Sequence, residues 1–568
     1  MTSLPTTGPR AAVVRFVFAA LMAIMALQSG IAAAQAPSRV DLVALMVEFQ
    51  PDTTRYTTGN GTFAGPLFEE VDAPRIDPLP HTPDYFRAHL SFLENYVHHA
   101  SDGRTQLTTH LLPEVIRVSM PMGTYSPTGL DADSDEELSK LSSLIQEAWT
   151  RADQSGMAIP AGLDPSTTSF LVFHAGVGRD IELVGTTLDK TPEDLPSIFF
   201  DAATLERLGA GALSMDGFPV TNSMVIPRTE SRRGVDVLTG EPFLIELSIN
   251  GLLAASFFNY LGVPDLFDTT TGESAIGPFG LMDAQGIFAY SGLFPPEPSA
   301  WTKQFLGWAD PVVAAPDGLV RLKASGRDDA NESARVPISD AEYFLVENRH
   351  RDPSGDGLRM QIWTHEGAGE VVFQNGDTQF NDQTVAGFPG GVVLGVDDYD
   401  FALPGGLDED ENPLLGGILI WHVDENRLAD GMGENAVNAD RNARSIDLEE
   451  ADGAQDIGFP SAAGFFGPRF DLGTPFDFWF EGNPVTVRTS AGRDIQLYDN
   501  RFAADTHPSN ISNAGVAPGF GLVDFSAPGP LMTFRIEAAE TLGPKLLAEW
   551  QLDRWAAENG VETPTDGA

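Results

Sequence analysis

Apolar and polar positions along the chain fall into two regimes that change near residue 317. In the first, continuous apolar runs alternate with amphipathic ones. Val40 to Phe49 (VDLVALMVEF) is almost wholly apolar and reads as a buried strand. Between Pro83 and His99, Phe86, Leu90, Leu93 and Val97 share one helical stripe, with His89 and Tyr96 beside it. Thr105 to Met120 reads as extended, with a β-branched run at Val115, Ile116 and Val118. Leu138, Leu141, Leu144, Ile145 and Trp149 predict a second helix. Ser169 to His174 predicts a strand. From Leu247 the chain is apolar and free of proline, as in a buried helix, until Gly262 and Pro264 end it.

In the second regime, short strand-like runs are punctuated by Gly, Asp, Asn and Pro. They are Leu319 to Lys323, Glu342 to Asn348, Met360 to Trp363, Gly417 to Val423, Val485 to Thr489 and Leu531 to Ile536. That spacing favours an antiparallel sandwich. Pro311 to Pro316 is a plausible boundary. Residues 538–568 read as a last amphipathic helix and a polar tail.

Composition narrows the compartment. Arg10 and Arg15, the apolar stretch Phe16 to Leu27 and the Ala34-Gln35-Ala36 site predict a secretory signal over residues 1–36. A retained membrane anchor is the alternative; no later run of about twenty apolar residues suggests a span of the mature chain. With no cysteine, neither disulfides nor a thiolate metal site is available. A formal charge of -47, from 81 acids against 34 bases, argues against nucleic acid or an anionic membrane as partner. It suits a solvated surface, or calcium.

Candidate chemistry centres on Leu247 to Gly286. Helix, Gly262, Asp265 in PDLFD and Met282 in GLMD stand in the order of H-E-x-x-H-x-x-G-x-x-D followed by a Met-turn. The layout resembles the M6 (immune-inhibitor-A-like) secreted zinc metalloproteases. The strand and HAG turn ending at His174, Ile226 to Arg232, EYFLVENRHRD (342–352), GGILIWHVDEN (416–426) and IDLEEADG (446–453) resemble further family segments, in the same order. The resemblance implies an α+β chain. A zincin-like metalloprotease-type domain would cover 37–312, and an antiparallel β-sandwich domain 313–537.

Laid on the motif, Ala255 and Asn259 fall on the two histidine positions, Asp265 on the third zinc ligand and Ser256 on the catalytic glutamate. Positions 255 and 259 share a helical face and could pinch one ion. Alanine has no donor atom, an amide is a poor zinc ligand, and a serine hydroxyl is no base at neutral pH. The resemblance therefore implies a zinc family in which this chain has lost its zinc. The expectation is a secreted, extracellular or periplasmic pseudoprotease with a protein or peptide ligand, held by strand-edge pairing without cleavage.

Two other readings stay open. One is an endopeptidase with a site rebuilt from Asp265 and donors such as His174. The other is a calcium-stabilised structural or adhesion protein, with Asp447, Glu449 and Asp452 as the calcium candidate that the resemblance suggests. An EF-hand at Asp131 to Asp135 fails, because Glu136 stands at the sixth loop position and Ser142 at the twelfth. Those acids suit the positive end of a helix dipole. His422, Asp424 and Glu425 read as scaffold.

Overall fold

A computed structural model describes residues 35–538, except positions 66, 69–70, 130, 182–190, 237–238, 315–317, 325–331, 374–387, 408–411, 465–466, 471 and 489–491. The signal segment expected up to residue 36 and the helix expected past 538 lie almost wholly outside the described residues. The chain is a mixed α+β structure with several sheets and few helices.

The first half is built on a five-stranded sheet. Its strands are β1 (Arg39–Glu48), β2 (Gln106–Arg117), β3 (Thr168–Val177), β4 (Ile198–Phe200) and β5 (Ser223–Thr229), in the order β2-β1-β3-β5-β4. The first four in that order run parallel, and β4 is an antiparallel edge. A parallel sheet is covered on both faces, so its central strands carry apolar residues on both faces. In β1, Val40, Leu42, Ala44 and Met46 enter one core, and Val43, Leu45 and Val47 the other.

Three helices cover the sheet. α1 (Pro83–Ala100) and α3 (Asn250–Tyr260) lie on the first core, and α2 (Asp135–Ser155) on the second. The Ser134 side chain caps α2, accepting from the Glu137 N–H, and Asp135, Glu136 and Glu137 occupy the first turn. The acids ahead of this helix thus sit where its dipole favours them. α3 is largely apolar on all sides and is buried from Asn250 to Phe258, as a core helix is. It ends in a Schellman motif: Val263 N–H donates to Phe258 O at 3.0 Å, and Gly262 N–H to Asn259 O at 2.9 Å. Gly262 takes φ 89°, which a side chain would resist.

In the second half, the largest sheet is ordered Val312–Val313, Ser333–Pro337, Glu342–His350, Gly416–Asp424, Ile446–Leu448. Four- and three-stranded antiparallel sheets and several hairpins accompany it. The first core continues into this half without a break, running from Val40 to Ile536. Arg349 helps to join the halves. It is fully buried, pairs with both oxygens of Asp400 and donates to Phe279 O at 3.3 Å and Glu297 O at 3.0 Å.

Candidate functional site

α3 presents the residues that the motif singles out. Ala255 is 4% exposed and Ser256 is 6% exposed. Asn259, one turn on, is half-buried. Its amide donates to Val263 O at 3.1 Å and to Asp265 Oδ1 at 3.2 Å. The other oxygen of Asp265 accepts from Asn435 Nδ2 at 2.7 Å, and Asp265 N–H donates to Asn435 Oδ1 at 2.8 Å. Asn435 thus reads both the side chain and the backbone of Asp265. It does so from a left-handed turn at φ 51°, a conformation asparagine tolerates. Burial raises the Asp265 carboxyl above its ordinary range, and the Asn435 and Asn259 amides partly counter this.

The segment after Asp265 is held as tightly. Leu266 N–H donates to Met282 O at 2.8 Å, which ties PDLFD to the GLMD turn. Met282 itself is 1% exposed. Its neighbour Asp283 is fully buried. Asp283 accepts from Ser274 Oγ at 3.0 Å, from the N–H groups of Ala275 and Ile276 at 2.8 and 3.1 Å, and from Gln285 N–H at 3.0 Å. Gly251 carries no side chain because α3 passes close to the next helix. A Cβ there would stand 1.9 Å from Ile287 O.

His174 lies inside β3, level with Val47 on one side and Pro227 on the other. It is fully buried, accepts from Gly176 N–H at 3.2 Å through Nδ1, and has its edge toward Phe49. Burial pushes the imidazole down to about 3, so the ring is neutral. It is not among the groups bonded to Asp265.

The three acids proposed for calcium are drawn to different partners. Asp447 pairs with Arg444 at 2.9 Å. Glu449 Oε1 meets His422 Nδ1 at 3.0 Å. Asp452 accepts from Ala454 N–H at 2.8 Å. Among the described residues, the group close enough to share an ion is Glu450, Asp452 and Asp477, with ligand atoms within 4.8 Å of one another. Acids gather in this way without an ion, and Glu450 already accepts from the N–H groups of Asp456 and Ile457 at 2.9 and 3.2 Å.

His422 is held from both sides: Nε2 lies 2.8 Å from Glu342 Oε1 and Nδ1 lies 3.0 Å from Glu449 Oε1. Asp424 caps the following helix by accepting from the N–H groups of Asn426 and Arg427. His422 thus has both ring nitrogens engaged by carboxylates of the sheet and the segment beside it, and Asp424 is engaged by the helix that follows it. Sequence reasoning missed Asn435. It stands 170 positions from Asp265, in a stretch with no motif of its own.

No known protein family matches the chain, and no curated protein does. Among solved structures, the chain is similar to the crystal structure of wild-type OgpA from Akkermansia muciniphila, at 9% sequence identity over 71% of this chain and 94% of that one. The TM-score is 0.21, and a likeness at that level carries no argument about fold or function.

Proposed function

We propose that this chain is an exported M6-like pseudoprotease. In this reading, a zincin-like domain over 37–312 and a sandwich-like domain over 313–537 keep the frame of a metalloprotease, while zinc chemistry has been given up for binding. The observation that carries the reading is the amide clamp on Asp265. Both carboxylate oxygens are taken by neutral amides, one of them Asn259 at a motif ligand position. A zinc ion there would have to displace both amides, and it would meet one charged ligand where about three are needed. Ala255 offers it nothing, and Ser256 is no general base.

The ligand expected is an extended protein segment. Among the described residues, β4 pairs with β5 on one side only, and Phe199 of this strand lies 6.2 Å, ring to ring, from Tyr260 at the end of α3. An open edge beside the candidate site suits strand addition, with main-chain hydrogen bonds supplying affinity. Two measurements on the mature protein test the reading together. Incubation with an unfolded protein should give no chelator-sensitive hydrolysis, and zinc loading followed by desalting should leave none held by Asp265. Hydrolysis that is abolished by both chelator and Asp265→Ala would refute it.

A further inference from the structure

The seat of α3 contains a buried pair that the proposed site does not use. Asp77 and His89 are 1% and 0% exposed, and Asp77 Oδ1 lies 3.5 Å from His89 Nε2. Among the described residues, neither atom has a hydrogen-bond partner. The surrounding bonds fix which atoms carry hydrogen. Asn250 Nδ2 donates to Leu293 O and Val393 O, both at 3.0 Å, so both of its hydrogens are spent on carbonyls. Asn250 Oδ1 therefore faces His89 Nδ1, at 2.7 Å, as an acceptor, and Nδ1 must hold the ring hydrogen. His89 Nε2 is left as a bare lone pair aimed at a carboxylate oxygen.

Two acceptors 3.5 Å apart in a dry site repel one another unless something electropositive stands between them. The gap is too short for a bridging water, whose two partners stand about 4.5 Å apart. Among the described residues, the nearby elements supply no free positive charge. Arg228 of β5 donates to His81 Nδ1 at 2.8 Å, and His81, neutral in consequence, meets the Asp77 carbonyl at 2.9 Å through Nε2. Tyr85 of α1 presents its ring edge-on to His89 and gives its hydroxyl hydrogen to Arg228 O. The Thr229 hydroxyl lies 3.4 Å from the other Asp77 oxygen, and the Ser248 and Tyr85 hydroxyls and the Ile249 N–H also face the Asp77 carboxyl, partly countering its burial.

We propose that Asp77 and His89 form a buried dyad that holds a single proton, carried on Asp77 Oδ1 and directed at His89 Nε2, so that α3 is seated most firmly on the acid side of neutrality. Burial acts in the same direction on both members, pushing the Asp77 carboxyl up to about 7 and the His89 imidazole down to about 3. The sign follows from the carboxyl. Its folded value lies above the unfolded value of 3.8, so its share of stability is intact below 3.8 and is lost as pH rises to about 7.

The test is Asp77→Asn in the full mature chain, since an amide mimics the protonated acid in shape and donates toward His89 Nε2. Denaturant unfolding is followed from pH 4 to 8. The variant should gain on the wild type as pH rises to about 7, by up to about a thousandfold in the folding constant, and then run parallel to it. A gap that stays constant across this range would overturn the proposal. So would a variant that loses ground as pH rises. An aspartate–imidazolium pair holds the same number of protons and would give the same curve, so nitrogen NMR of the histidine rings in the wild type separates the two, and decides alone should the variant not fold. A neutral His89 with its hydrogen on Nδ1 at pH 5 to 6 is expected, and an imidazolium there would overturn the dyad. Neither result bears on zinc at Asp265.

Discussion

His422→Gln isolates the electrostatic part of the sheet that anchors the second half. The wild-type imidazole is 9% exposed and lies between Glu342 and Glu449. Burial alone would lower its pKa; the two carboxylates overcome this and raise it from 6.5 to about 9. At about 1.4 kcal/mol per pH unit, that rise is worth about 3 kcal/mol to the folded state. A group raised on folding gives its full contribution below its unfolded value and loses it as pH passes the folded value. The His422→Gln deficit should therefore be about 3 kcal/mol larger at pH 6 than at pH 9.5, shrinking steadily between them. Urea unfolding of both proteins at pH 6, 7.5 and 9.5 measures this. The lost ring contact with Phe344 is common to every pH and drops out of the comparison. A deficit that is the same at pH 6 and 9.5, or larger at 9.5, would show that His422 is neutral in the folded chain and refute the argument.

Other perturbations act through packing and satisfaction of buried groups. Gly251→Ala drives a methyl into Ile287 O and should destabilise by about 1–3 kcal/mol in thermal or urea unfolding. Arg349→Met strands the buried carboxylates of Asp400 and Glu347, and a loss of about 3–5 kcal/mol is expected by the same measurement. Asp265→Asn sets amide against amide at the clamp. It should cost about 1–3 kcal/mol by urea unfolding and leave the zinc content of the purified protein unchanged by elemental analysis.

Much of the fold was legible because the signal was local and periodic. The run Val40 to Phe49 became β1, the stripe from Phe86 to Val97 became α1, and the helix after the acids at 131–137 became α2, displaced by a few residues to begin after Ser134. The six runs named in the second half all became strands. Several of their sheet partners went unread, among them Ser333–Pro337 and Gly367–Phe373, because polar and glycine-rich edge strands carry little periodicity. β4 has three residues, too few to show a period.

The candidate site divides along the same line. Of its linear part, α3 and its stop at Gly262 could be placed from the residues, because a helix and its Schellman stop are written consecutively, while Asp265 and Met282 were singled out by the family resemblance. The absence of imidazole and glutamate at 255, 256 and 259 is a fact of the sequence. Which groups answer Asp265 in their place was decided by tertiary structure. Asn435 reaches it across 170 positions, just as Asn250 reaches Val393 across 143 and His422 reaches Glu342 across 80. Hydrogen bonds of that kind satisfy buried polar groups wherever the chain happens to bring a partner, and no local pattern records them. Sequence by itself therefore determined the elements and the lost donors. Only the folded chain decided that amides would clamp the remaining carboxylate, and that a buried aspartate and histidine would meet beneath α3.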